Sequence, residues 1–346
     1  MSEQSMIEQA KSTAGSNDNL QKFMFENAAV RGELVELCDT WQHILSRRTW
    51  PLPVQTMLGQ MLAASALLSA NLKFNGTMIL QLHGDGPVRL LVVECNSELE
   101  MRATAKIAPE AEIAIDAAMR ELVNQHGKGR FVITLDPNDK LPGQQPYQGV
   151  VPLDGEDIAT VLENYMLRSE QLDTKLYLAA DAHVARGMLL QKLPHEGGSN
   201  APAANITATG VVVPGEPATS LAAELENDEF LTWQRATMLG NTLQEAELLT
   251  TTIATLLHRL FWEETLRVFE LRHPQFRCTC SRERVGNMLK MLGQPEVDSA
   301  LDEMETLGID CDFCGQHYQF DRVDCAQIFA DDTPLAAMRV AGEVKH

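Results

Sequence analysis

Two close pairs of cysteines near the C-terminus constrain this chain more than any other feature: Cys278-x-Cys280 and Cys311-x-x-Cys314. Thiolates spaced by one or two residues can approach a common centre from one side. Two such pairs arriving from opposite sides make a four-sulfur tetrahedron, the geometry that Zn2+ prefers. Between the pairs the pattern is helical twice. Ser281 can cap a first helix with Val285, Met288, Leu289 and Leu292 on one face; Pro295 can open a second with Val297, Ala300, Leu301 and Met304. So short a segment, with so few large apolar side chains, needs a staple to fold. Metal binding would therefore supply much of its folding free energy. One zinc ion is expected in the reduced state, held by Cys278, Cys280, Cys311 and Cys314.

The other cysteines fit this reading. The chain has 7; Cys38 and Cys95 stand alone, and Cys325 joins the C-terminal group. The opening stretch MSEQSMIEQAKSTAGSNDNL is polar and lacks the basic-then-apolar layout of a secretory signal. A disulfide framework would spread its cysteines more evenly, and the cytoplasm keeps thiols reduced. A cytoplasmic protein using its thiols for metal binding or redox chemistry is the expectation. Cys311-Asp-Phe-Cys314 also has the spacing of a thioredoxin-type pair but lacks the βα context of one. His273 and His317 flank the cluster and could ligate; they read as loop histidines, because four cysteines already complete the site. Cys325 reads as a core or surface thiol, with a fifth-ligand or resolving role as the alternative. Cys38 and Cys95 read as packing residues.

Charge narrows the partners. Lys and Arg total 28 against 48 Asp and Glu, a formal net charge of −20. Most of such a surface repels phosphate backbones, and the best basic patch, Arg277–Arg284 (RCTCSRER), is short. Nucleic acid is not an expected partner. Neither is a membrane, since no apolar run approaches the ~18 residues a span requires. No phosphate loop, dinucleotide fingerprint, HExxH or GxSxG motif is present. No catalytic residue and no ATP-driven step are expected.

The chain reads as α+β: a mixed-sheet core domain with packed helices, a helical linker and a small zinc-binding C-terminal module. Residues 1–17 read as a disordered tail, 18–194 as the core, 195–275 as a linker with two amphipathic helices, and 276–346 as the four-cysteine module and tail. Within the core, Asp18–Leu37 reads as helix and Val54–Leu72 as a long buried helix. Strands are expected at Gly76–His83, Val88–Glu94, Met101–Ile107, Arg130–Asp136 and Tyr147–Leu153, and in the KLYLAAD and RGMLLQKL runs. Asp116–Asn124 reads as a short helix and Asp157–Gln171 as an amphipathic one. Residues 195–220 have the Gly/Ala/Ser/Thr/Pro composition of a linker. Leu221–Gly240 and Thr242–Trp262 read as helices, the second with a wide apolar face that must pack on something. Thr265–Phe269 reads as a short strand.

Zinc at the cluster could be purely structural. A switch is the other reading. Zinc-bound thiolates stay nucleophilic toward peroxide or hypochlorous acid, and oxidising them would remove the staple. The apolar segment upstream would then lose its neighbour.

From about Leu20 to Phe320 the chain resembles the 33 kDa redox-regulated heat-shock chaperone family (HslO). The resemblance rests on Phe25–Leu37 (FENAAVRGELVEL), which looks like the family's N-terminal helix motif, and on Leu72–Glu94, Tyr147–Val151, Tyr165–Gln171 and Gly187–Gln191. It is carried most specifically by CTCSRER with CDFCGQHYQF. It implies that Cys278, Cys280, Cys311 and Cys314 are zinc ligands and redox sensors. On oxidation it pairs Cys278 with Cys280 and Cys311 with Cys314, with loss of zinc and unfolding of the module and linker. It implies an ATP-independent holdase that dimerises on activation, binds unfolding client proteins, and hands them on to foldase chaperones. The chain departs from the family in a longer 197–220 stretch, a longer N-terminal tail, the extra Cys325, and Arg186, which stands where a glycine is common. An enzyme of unknown chemistry, or a zinc-dependent nucleic-acid binder, each with a purely structural zinc tail, is the alternative function.

Overall fold

The computed structural model describes residues 16–71, 75–140, 145–194 and 219–330. The expected tail (all but Ser16 and Asn17), Leu72 and the 195–218 part of the linker lie outside the described residues. The chain divides into two units, one ending at Arg277 and one beginning at Cys278.

The first unit contains two sheets. Strands β1 (Asn19–Phe25) and β2 (Val30–Leu37) form an antiparallel hairpin. The expected helix over Asp18–Leu37 is therefore a correction. Its apolar residues suited a helical period only because this sheet is buried on both faces, which removes the plain polar alternation of a one-sided strand. Leu20, Val35 and Leu37 enter one core, while Phe23, Phe25, Val30 and Leu34 enter another. Gly32 is required by close approach: a Cβ there would lie 2.1 Å from Cζ of Phe23.

The remaining strands of this unit are β3 (Gly76–His83), β4 (Val88–Asn96), β5 (Glu100–Ile107), β6 (Arg130–Pro137), β7 (Tyr147–Pro152), β8 (Thr174–Ala180), β9 (Ala185–Lys192), β10 (Leu266–Val268) and β11 (Gln275–Phe276). The first sheet has the order β10-β1-β2-β9-β8 and the second β11-β5-β4-β3-β6-β7. All pairs are antiparallel except β11 on β5, so the second sheet is mixed. The helix Leu52–Ser69 packs against strands of both sheets and is buried almost all round. Its Ala, Leu and Met residues are the ones a helix needs when no face meets water. The short helix Asp39–Leu45 is capped from a distance: both Asp18 carboxylate oxygens accept from the N–H groups of Cys38, Asp39 and Thr40.

Three linker helices lie over the outer face of the first sheet. They are Thr219–Gly240, Glu245–Thr250 and Ile253–Phe261. The expected single helix over Thr242–Trp262 is broken at Thr251, whose backbone is extended, and Thr252 restarts it by accepting from the N–H of Thr255 at 3.3 Å. The amphipathic helix expected to Gln171 is α-helical over Ile158–Tyr165 and closes in a π turn at Met166–Glu170.

The second unit begins with helices Arg282–Leu292 and Gln294–Glu303, placed by Ser281 and Pro295 as the sequence predicts. A hairpin follows, β12 (Leu307–Asp310) and β13 (His317–Phe320), and then the helix Arg322–Ala330. Its buried hydrophobic core among the described residues is Leu289, Val297, Leu301, Leu307, Phe320 and Cys325. So few side chains support little stability on their own.

Candidate metal centre

The centre is assembled from two short pieces of backbone. Cys278 and Cys280 precede the Ser281 cap of the first module helix. Cys311 and Cys314 occupy the turn between β12 and β13. That turn is tight: the Cys311 N–H donates to Gln316 O and the Gly315 N–H to Cys311 O, both at 2.9 Å. Gly315 has φ +68°, a conformation that favours glycine.

The four sulfurs lie within 4.8 Å of one another. Cys278 Sγ is 3.7 Å from Cys311 Sγ, and Cys280 Sγ is 3.3 Å from Cys314 Sγ. Zinc–sulfur bonds of about 2.3 Å in a tetrahedron place the sulfurs about 3.8 Å apart, so the cluster fits that ion closely. The Tyr318 hydroxyl donates to Cys280 Sγ at 3.1 Å, an outer-shell bond of the kind that orients a ligand. Burial, and after it the neighbouring thiols, push the Cys314 thiol up to about 12. Four adjacent sulfurs cannot all ionise without a cation among them.

The other candidates fall outside this constellation. His317 Nδ1 pairs with Asp310 Oδ1 at 2.7 Å, and exposed His273 meets the Asp18 carbonyl at 2.9 Å. Cys325 is buried in the module core. Cys95 is buried in β4, where desolvation pushes its thiol up to about 12. Cys38 is half-buried beside Glu36, and burial first, then that carboxylate, pushes its thiol up to about 11. The arginines of the basic run are engaged: Arg277 with Glu100, Arg282 with Asp324 and over the Phe320 ring, and Arg284 with Thr279. No helix among the described residues is long and apolar enough to cross a membrane.

Three features of the first unit concern how the linker is held, and of these the sequence predicted only the apolar face of Thr242–Trp262 and the short strand at Thr265–Phe269. The first is the apolar layer under the linker. Phe23, Phe25, Val30, Leu34, Met188 and Leu190 of the sheet meet Ala236, Leu248, Leu256, Leu260 and Phe261 of the helices. The Phe261 ring lies 5.3 Å from that of Phe25 and 5.6 Å from that of Phe23. The second is Arg186 on β9, which is only 8% exposed. Its guanidinium donates to the carbonyls of Leu248, at 3.2 Å, and Thr251, and pairs with Glu36 on β2. The third is a pair of short strands, β10 and β11, by which the linker joins the edge of each sheet. Only Arg277 separates β11 from Cys278.

An α+β domain under a docked apolar cover, followed by a small module that carries a four-thiol cluster, has the layout of a redox-switched binding protein. The family model for Hsp33 protein matches residues 18–321. The 33 kDa chaperonin of Chromobacterium violaceum is 45% identical over 321 residues, covering 93% of this chain and 97% of that protein. That of Methylobacillus flagellatus is 43% identical over 317 residues, covering 91% and 96%. The crystal structure of the Thermotoga maritima 33 kDa chaperonin superposes with a TM-score of 0.69 at 19% identity, covering 90% of this chain and 98% of that one, which shows a shared fold. The chain belongs to the Hsp33 family. It is a redox-regulated holdase chaperone with a C-terminal zinc-binding cysteine cluster, and not an enzyme.

Proposed function

We propose that Cys278, Cys280, Cys311 and Cys314 are both the zinc ligands and the redox sensor, and that the covered face of the first sheet is what the sensor controls. The observation that carries this is a four-thiol cluster in a module whose buried core is too small to stand without it. A zinc ion bound there would hold all four sulfurs as thiolates at neutral pH and tie the two ends of the module together.

Hypochlorous acid takes two electrons from each thiolate pair and one proton is taken up from solvent; a disulfide forms, and chloride and water leave. Near neighbours pair, Cys278 with Cys280 and Cys311 with Cys314, as the family resemblance implies. Sulfurs spent in disulfides no longer ligate, and the module loses its staple. The four-cysteine module then unfolds, the linker helices within 219–261 leave the core, and the Phe23–Phe25–Leu34 face is open to unfolding client proteins. The activated chain dimerises, works in the cytoplasm without ATP, and holds clients until foldase chaperones take them.

The test joins zinc release to client protection. The reduced, zinc-loaded protein is treated with hypochlorous acid, and zinc release is followed beside light scattering from an aggregating client, without ATP. Zinc release and suppression of aggregation should rise together and reverse with reductant. Zinc release with no change in aggregation would overturn the reading and leave the metal as a structural staple. A disulfide map by mass spectrometry checks the pairing.

A further inference from the structure

The linker is held to the first sheet in two different ways. Its helices lie on the face through apolar side chains. Its strand lies on the edge through main-chain atoms. Along β1, Leu20 exchanges both hydrogen bonds with Arg272, at 2.8 and 3.0 Å. The Phe269 N–H donates to Lys22 O, and the Glu26 N–H to Thr265 O, each at 3.0 Å. In register, Phe23 faces Val268 and Phe25 faces Leu266. The side chains of this strap contribute little: Val268, Phe269 and Leu271 are 53%, 42% and 41% exposed. Leu266 alone of the β10 residues packs on the phenylalanine cluster.

We propose that the edge of β1, once the strap has left it, is a docking strand for clients: an extended segment of an unfolded chain adds to the first sheet in the place of β10. This rests on the holdase reading above and adds how a client is gripped. An unpaired strand edge is a template for any extended chain. Its main-chain hydrogen bonds carry affinity without reading sequence, which suits clients that share none. The resting occupant shows what fits: a short run with Leu266 and Val268 on the phenylalanine face and Arg267 between them. An incoming strand with apolar residues at alternate positions would place them on Phe23 and Phe25. The opposite edge of the sheet cannot serve. Glu163 blunts β8 there, accepting the Leu176 N–H at 2.8 Å and pairing with Lys175, and among the described residues no linker strand covers β8 to be removed.

The experiment uses the full chain activated by hypochlorous acid, with zinc release as the check on activation. The probe is a ten-residue peptide of alternating valine and threonine, and the readout is residue-resolved amide exchange at Leu20 and Glu26. Both amides should lose protection on activation and regain at least about tenfold at saturating peptide, the weight of two main-chain hydrogen bonds. Met24 lies between them in the same alternation, so its N–H faces the same edge. A proline tolerated there removes that donor and leaves the β1–β2 ladder intact. Met24→Pro should release zinc normally yet bind the peptide at least about tenfold more weakly. Should Met24→Pro fail to fold, the exchange measurement on the unmodified chain decides alone. Peptide binding that leaves both amides unprotected overturns the edge and spares the holdase reading. Protection that returns with rising protein concentration and no peptide assigns the edge to a second copy, and overturns client docking there. An activated chain that neither binds the peptide nor suppresses aggregation overturns both readings.

Discussion

Arg186→Met should loosen the linker without touching the metal centre. The guanidinium lies under the linker, bonded to two carbonyls at the end of the Glu245–Thr250 helix and to Glu36 beneath. Hydrogen bonds to a charged group contribute about 1.5–3 kcal/mol each, and removing one partner of a buried ion pair costs about 3–5 kcal/mol. Two terms reduce the sum. Glu36 is 18% exposed at its side chain and can recover water once its partner is gone, and the Arg186 Nε is buried without a hydrogen bond among the described residues. A net loss of about 2–3 kcal/mol is expected, falling on linker docking rather than on the whole fold. That corresponds to amide exchange through Ile253–Phe261 about 30- to 150-fold faster, with zinc content unchanged. Native-state exchange read by mass spectrometry gives this number directly. Adding Glu36→Gln should return part of the loss, because the orphaned carboxylate is then neutral. Unchanged exchange across residues 245–261 in Arg186→Met would refute the assignment of a latch. So would a double variant no more stable than the single one.

Glu33 is buried on β2 with neither carboxylate oxygen hydrogen-bonded among the described residues, and desolvation raises its pKa to about 7 against the opposing charges of Lys22 and Arg31. The folded chain thus holds the proton more tightly than the unfolded one. Stability should fall as pH rises from about 4.5 to about 7, by a few kcal/mol in order of magnitude, and Glu33→Gln should flatten that slope in urea titrations across the range. Stripping the metal with a strong chelator under reducing conditions should melt the Cys278–Ala330 module while the two-sheet unit keeps its strands, as limited proteolysis would show. Cys325→Ala should cost about 1 kcal/mol from a small core and leave zinc stoichiometry at one, whereas Cys311→Ser should lower it.

The four-thiol cluster was legible because its signal is local: four cysteines in two short motifs, with a Ser cap and a Pro start between them, predict both the cluster and the helices. The strands β3 to β9 were legible for the same reason, since alternation and turn residues are read within one segment. The hairpin of β1 and β2 was not. Its residues answer to two cores at once, and only the sheet's position between the Leu52–Ser69 helix and the linker explains that. The break at Thr251 could not be read because Leu248, Leu256 and Phe261 suit one helical stripe as well as two. The strand expected at Thr265–Phe269 is present as β10, whereas β11, two residues long, carries no period of its own and exists because an edge recruits it. Asp18 as a distant cap, and Arg186 as a tie between β9 and the linker, are products of tertiary placement alone.

The apolar layer between the first sheet and the linker helices has a thermal consequence. Contacts such as Phe261 on Phe23 and Phe25 exclude water from hydrocarbon, so undocking raises the heat capacity. The docking free energy therefore follows a dome in temperature, falling away on both the warm and the cold side of its maximum. A cover held by ion pairs alone would lack that curvature. Warming weakens this one by the same physics that makes a partly unfolded protein expose its core, so the lid softens over the temperatures at which clients first appear.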